Sequence, residues 1–181
     1  MAVGLELKDL TGLKLLHNHM AIELALEFFA FEDPMFTDLV GAIRRRIVED
    51  VARSRMPGLI LTYVWAFDDP RDRRQPEEFA AIFAAHGREA FFVELEASLQ
   101  ERLSRNTSAL RLSHKPSKRD APASRRRLLE AEAAHKLNST TEFNGADNYL
   151  RIDNTQVSAN DAAVRIRDRF ALPRIIRPPT P

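Results

Sequence analysis

Residues 59–67 read Leu-Ile-Leu-Thr-Tyr-Val-Trp-Ala-Phe, a nearly unbroken apolar stretch of strand length, with Pro57-Gly58 before it and Asp68-Asp69-Pro70 after it. Lacking the polar alternation of a half-exposed strand, such a segment needs cover on both faces, which helices packed on a mostly parallel sheet provide. The rest of the chain alternates strand and helix signals in the order that architecture requires. Helical spacing over residues 3–10 stops at Gly12, which can take the left-handed conformation that ends helices. A short apolar strand follows at 13–16. Helices are expected over 22–29 and 36–51, divided at Asp33-Pro34, the second with Leu39, Val40, Ile43, Ile47 and Val51 on one face.

After the central run come a helix over 76–86 stopped at Gly87, a second buried strand over 90–95 and a helix over 98–105. The pattern breaks over 106–123, rich in Ser, Lys, Arg and Pro, and resumes as a helix over 124–137. A last strand at 149–152 leads to Ser158-Ala159-Asn160-Asp161, an N-cap with an acidic first turn ahead of a final helix. The expected fold is therefore one α/β domain over 1–172, three layers with a mostly parallel sheet between helices. A Pro-rich extension over 173–181 holds four prolines and is expected to be loosely ordered.

At 181 residues, 44% of them hydrophobic, the chain can bury a full core. Its net charge of +1 produces no global field, so any basic site must be local. The absence of cysteine excludes disulfides and thiolate metal sites and fits a cytoplasmic location. No apolar stretch of about 18 residues and no signal peptide is present, so no membrane partner is expected.

Several segments, taken together, resemble the shikimate-kinase-like branch of the P-loop kinases over almost the whole chain except the tail. They are Leu13-Lys14-Leu15-Leu16-His17-Asn18-His19, the end of the 59–68 run, Phe91-Phe92-Val93-Glu94-Leu95, the basic residues of 102–119, and Ile152-Asp153-Asn154-Thr155 with the helix after Ser158. The resemblance implies an ATP-dependent small-molecule phosphotransferase, using ATP and Mg in a complete member and taking a small-molecule phosphate acceptor. In that family a first strand lies mid-sheet and leads into a Gly-x-x-x-x-Gly-Lys-Ser/Thr loop whose backbone N–H groups cradle the phosphates. This chain has neither: its glycines are Gly4, Gly12, Gly41, Gly58, Gly87 and Gly145, and none precedes a lysine. Removing one oxyanion-type donor costs roughly 100- to 1000-fold in rate. The chain itself is therefore expected to be inactive in phosphoryl transfer and to bind no cofactor. Met1 falls within a helix with no N-cap, which favours a start placed late over a natural shortening.

His17, Asn18 and His19 follow the second strand, at the carboxyl edge where open α/β sheets bind ligands. By alternation His17 and His19 point one way and Asn18 the other. The resemblance implies that they hold the acceptor; a polar strand end capping the next helix accounts for them equally well. A metal held by His17 and His19 would need Glu23 or Asp68 as a third ligand, and histidines two apart commonly hold none, so no metal site is expected. Arg44 and Arg45, within Arg44-Arg45-Arg46, are further acceptor-binding candidates through bidentate contacts. Three adjacent helical positions spread over about 200°, however, and most charge runs are solvated.

Residues 102–127 carry nine Lys or Arg against one acid, Asp120. The resemblance implies a basic lid over the phosphates, with Arg102 and Arg105 on the nucleotide and Arg105 and Arg111 on the transferring group. A solvated or RNA-binding excursion is the alternative, against which stands the absence of aromatics for base stacking. Asp68 is a candidate general base, although Asp68-Asp69-Pro70 is equally good turn chemistry. Tyr63, Trp65 and Phe67 alternate on one face and are assigned to the core. The competing function is a non-catalytic module that binds an anionic partner through the basic segment. With a first strand missing, the 59–67 and 90–95 strands are expected to close the gap by pairing directly in parallel, with helix 76–86 as a right-handed crossover.

Overall fold

A computed structural model describes residues 1–175. In chain order the elements are α1 (Ala2–Thr11), β1 (Lys14–His17), α2 (His19–Leu26), α3 (Pro34–Arg53), β2 (Leu59–Thr62), α4 (Pro70–Ala84), β3 (Phe92–Glu96) and α5 (Leu99–Asn106). Then come α6 (Ala109–His114), a 3-10 turn (Pro116–Lys118), α7 (Ala121–Ala134), β4 (Tyr149–Asp153) and α8 (Ala159–Arg169). Gly12 takes φ 75° at the end of α1, as its position predicts. Asp33 caps α3 by accepting from the Met35 amide, and Ser158 caps α8 by accepting from that of Asp161. The Pro-rich tail lies mostly outside the described residues; its part up to Ile175 is tied back by the Ile175 amide donating to the Leu10 carbonyl at 3.1 Å.

The class is mixed α/β, but the sheet is divided. β1 pairs in parallel with β2 from Lys14↔Leu59 to His17↔Thr62, and β3 pairs in parallel with β4 from Phe92↔Tyr149 to Glu96↔Asp153. Nothing pairs β2 with β3. The expected closure therefore does not occur: the two strands keep their inner edges apart. Arg88, four residues before β3, donates to the carbonyls of Val51 in α3, at 2.8 Å, and of Met56, three residues before β2, so the segments that enter the two strands meet there.

Alternation places helices on each side of these strands. Ile60 of β2 and Val93, Leu150 and Ile152 of the other sheet pack on one apolar cluster with Val3 and Leu7 of α1 and Ala162, Ala163 and Ile166 of α8. Leu59, Leu61 and Tyr63 turn the other way, onto Val48, Val51 and Ala52 of α3 and Phe79 and Phe83 of α4. On that same side of β3 and β4, Phe92 and Tyr149 meet Phe143, with Trp65 against Phe92 and Phe143. A third cluster joins Ala21 and Ala25 of α2 to Phe36 and Val40 of α3.

Several boundaries differ from the sequence reading, among them α7, which runs over Ala121–Ala134 where 124–137 is expected. β2 ends at Thr62, because from Tyr63 onward the chain leaves β1 and sends Trp65 to stack on Phe67 at 4.9 Å. Tyr63 parts company with that pair and packs against Phe79. Helix α4 starts at Pro70 and not at Pro76: Asp69 accepts from the Arg71 amide with Pro70 at the first turn, and the helix runs through Pro76. His19 belongs to α2 rather than to the strand end, so it no longer alternates with His17. The polar stretch 106–123 also contains structure, namely α6 and the 3-10 turn.

The cluster shared by both sheets makes a direct stability prediction. Ile166→Ala should destabilise the protein by about 2–5 kcal/mol. Leu24→Ala, at a side chain half exposed on α2, should stay within about 0.5 kcal/mol. Urea denaturation followed by circular dichroism distinguishes the two.

Candidate anion-binding site

The amino end of α1 has neither a side-chain cap nor an acidic residue in its first turn, so its N–H groups keep their positive end of the helix dipole unanswered. Cationic residues gather around it. The amine of residue 1 is pushed down to about 6 by burial and by the charges of Lys115 and Arg111. Lys115 falls to about 8 through burial and its neighbours Arg111 and Lys118. Burial lowers Arg111 as well, and its Nε is enclosed without a hydrogen-bond partner. Lys118 is lowered by burial, by Arg127 and by Arg111.

His17 closes β1 into the same neighbourhood. It is 8% exposed, its Nδ1 has no partner, and its ring meets that of His114 edge-on at 6.1 Å. Burial and Lys115 hold its pKa below the ordinary 6.5. The one acid that offsets Lys115 and Lys118 is Glu23. Glu23 accepts from the Ser117 hydroxyl and amide, the latter at 3.1 Å, and lies 3.1 Å from Nδ1 of His19. Those contacts tie the 3-10 turn of the basic segment onto α2. Burial works against the Glu23 carboxylate, but the bonds from Ser117 and His19 outweigh it and keep its pKa low. His19, desolvated and close to Lys115, is pushed down to about 4.

Asn18 occupies the N-cap position of α2 in helical conformation, with its Oδ1 buried and unpartnered. Its amide donates to the Thr62 hydroxyl at 3.2 Å, and its carbonyl accepts from Arg44 at 3.0 Å. Arg44 is thus built into the strand edge, and burial lowers its pKa. Arg45 instead points outward to Glu49 at 2.9 Å, as a solvated charge does. The Tyr63 hydroxyl is buried without a partner and pushed up to about 12 by burial.

The other sequence candidates have partners of their own. Arg105 donates to Glu101, to the Asn154 side chain at 3.2 Å and to the Asn154 carbonyl at 2.7 Å, strapping α5 to the end of β4. Arg102 pairs with Glu132 of α7 while its Nε remains buried and free. Asp68 accepts from the Lys136 amide at 2.9 Å and lies 3.5 Å from His135, which ties it to the segment that follows α7. The structure brings His17 together with His114 and Lys115 and sets Asn18 beside Arg44. It engages Arg105 and Asp68 in contacts between loops and helices.

Lys115, Lys118, His114 and Ser117 are the site residues that sequence reasoning did not single out. Their basic run was visible, but no local signal marks which of its members are buried. Among the described residues no three His, Asp or Glu side chains converge as a metal site would need, and no helix is long and apolar enough to cross a membrane. The chain matches no family model, no curated protein and no solved structure.

The site's protonation states fix how stability depends on pH. His19 binds its proton less readily folded than unfolded, so stability should fall as pH drops from 6.5 toward 4. The lowered Glu23 adds to the loss in the same direction as it protonates. At the alkaline end the depressed Lys115 sheds charge strain, so stability should rise from about pH 8 toward 10.5. Thermal melts across that range test both slopes. A His19→Gln variant should flatten the acid one, and NMR should show His19 neutral down to near pH 4.

Proposed function

We propose that this chain forms the body of a small-molecule phosphotransferase domain of the P-loop kinase kind, with anions received at the amino end of α1. The observation that carries the reading is the convergence of Arg111, Lys115 and His17 on that helix end, with Nε of Arg111 and Nδ1 of His17 left without partners. Half-buried cations with so few acids among them suit a phosphate or a carboxylate, because an anion would restore the charge that partial burial penalises. Helices on both sides of β2, and strands that begin at a common edge, support a three-layer αβα arrangement behind the site.

Within this reading His17, Asn18 and Arg44 form the acceptor side. Arg111 and Lys115 meet the phosphate, while Arg102 pairs with Glu132 and Arg105 positions α5. A complete member of the family would add ATP and Mg. Asp68 is held by Lys136 and His135, away from the cations at α1. The second reading, a non-catalytic module that holds an anionic partner, uses the same cations. It is favoured by the lack of any Gly-Lys phosphate loop in the sequence.

Inorganic phosphate and sulfate should raise the melting temperature at low salt. The gain should disappear as sodium chloride increases, since exposed charges are screened beyond about 10 Å at 0.1 M. Arg111→Ala combined with Lys115→Ala should abolish it. Phosphate binding between pH 8 and 9 should take up a proton as Lys115 recharges, which calorimetry in buffers of different ionisation enthalpy reads directly. Mg-ATP should not bind this chain at micromolar levels, for want of a backbone cradle. Undiminished phosphate protection in the double variant would overturn the site, and micromolar Mg-ATP binding would overturn the expectation of inactivity.

A further inference from the structure

Between the two sheets lies a cavity of about 820 Å³. Its side walls are β2 and β3, each hydrogen-bonded to a strand on its far side only, so among the described residues each wall presents backbone N–H and C=O groups with no ladder partner. One helical face of the cavity is α1, through Val3 and Gly4, and the other is α4, through Phe79 and Phe83. Apolar side chains meet it from both directions, with Ile60 and Val93 toward the α1 side and Leu61 toward the α4 side. β2, read from its sequence as a strand covered on both faces, is half-buried along its whole length.

A space with strand edges on two sides and helices above and below has the form of a strand position. The chemistry of its occupant follows. It must be extended, to satisfy both edges at once. It must be apolar and β-branched on both faces, because helices cover both. Its direction follows as well. Arg88, four residues before β3, bonds to the Met56 carbonyl, three residues before β2, so the two walls start from neighbouring segments and run the same way. Residue 1 lies at the opposite, carboxyl edge, near the end of β1, where its amine and His17 share Lys115 as a neighbour. A strand parallel to both walls therefore finishes where α1 begins, and strand, α1 and β1 make a right-handed crossover.

We propose that the cavity between β2 and β3 seats one further extended strand of about five apolar residues, parallel to both, leading through a short loop into α1. The two separate ladders would then become one continuous parallel sheet. This inference stands on the divided sheet and does not require anion binding at α1.

The test extends the full chain at its amino end. One version carries Lys-Val-Ile-Val-Val-Thr followed by a flexible Gly-Ser-Gly-Ser-Gly segment, which spans on the order of 12 Å. A control version carries the same extension with its two adjacent valines replaced by prolines, which cannot donate to a ladder. The strand version should melt several degrees higher than the unextended chain, and amide exchange in β2 and β3 should slow by at least about tenfold. The proline version should match the unextended chain on both measures. Equal melting and exchange in all three would overturn the proposal. So would sedimentation showing that the unextended chain already dimerises with those edges protected, which would make a second copy the occupant.

Discussion

The packing of α1 on α8 holds the two halves of this protein in one body. Ala162 and Ala163 are wholly buried, and residues this small let two helices approach closely. Onto their joint surface come Ile60 from one sheet and Val93, Leu150 and Ile152 from the other. The sheets share no ladder hydrogen bond, so this apolar contact does work that backbone pairing does in a continuous sheet. The aromatic group of Trp65, Phe92, Phe143 and Tyr149 provides a second bridge on the opposite side. Gly4 shows how close the fit is: a Cβ there would come within 3.0 Å of Leu15 Cδ1 and 3.6 Å of Thr62 Cγ2.

The same helix sets the electrostatics. Because α1 points its amino end at the carboxyl edge of β1, the helix dipole and the cations of the basic segment add where water is scarce. Desolvation and like-charge repulsion then act together on Lys115 and on the amine of residue 1. The segment stays in place because Ser117 is anchored on Glu23, a carboxylate whose other neighbour is His19. Arg105 fixes the other end of the basic stretch to the Asn154 and Thr155 carbonyls. A run that reads as solvated charge is thus pinned at both ends by polar contacts far apart in sequence.

How much of this was legible in the sequence varied with the range of the interaction. Caps and stops were readable at Gly12, Asp33-Pro34 and Ser158, since each works through its immediate neighbours. Proline misled at Pro76: a proline usually opens a helix, but the cap that decides here is Asp69, seven residues upstream of the expected start. The run at 59–67 was overextended because an apolar sequence looks the same in a strand and in an aromatic cluster, and only tertiary contacts end β2 at Thr62. The missing mid-sheet strand was visible through the resemblance, but the expected closure of the gap was not borne out, because whether two strand edges pair is decided by backbone packing and not by side-chain pattern. Near α1, Arg111 was a candidate through the resemblance, and His17 through the resemblance and its place at a strand's carboxyl edge. Lys115 was missed because its burial depends on packing between segments that the sequence keeps about a hundred residues apart.

Arg88 has a bearing on the order in which the chain assembles. Its guanidinium closes a loop back to the Val51 carbonyl, 37 residues away, and gathers α3, β2 and α4 into a unit made of near neighbours in the chain. The ladder between β3 and β4 joins segments more than fifty residues apart, and α1 meets α8 only when the two ends of the described chain come together. Loop-closure entropy makes such distant contacts slower to form. Sequence separation alone thus favours early assembly of the 48–88 region and late closure of α1 on α8. During that interval the inner edges of β2 and β3 are at their most accessible.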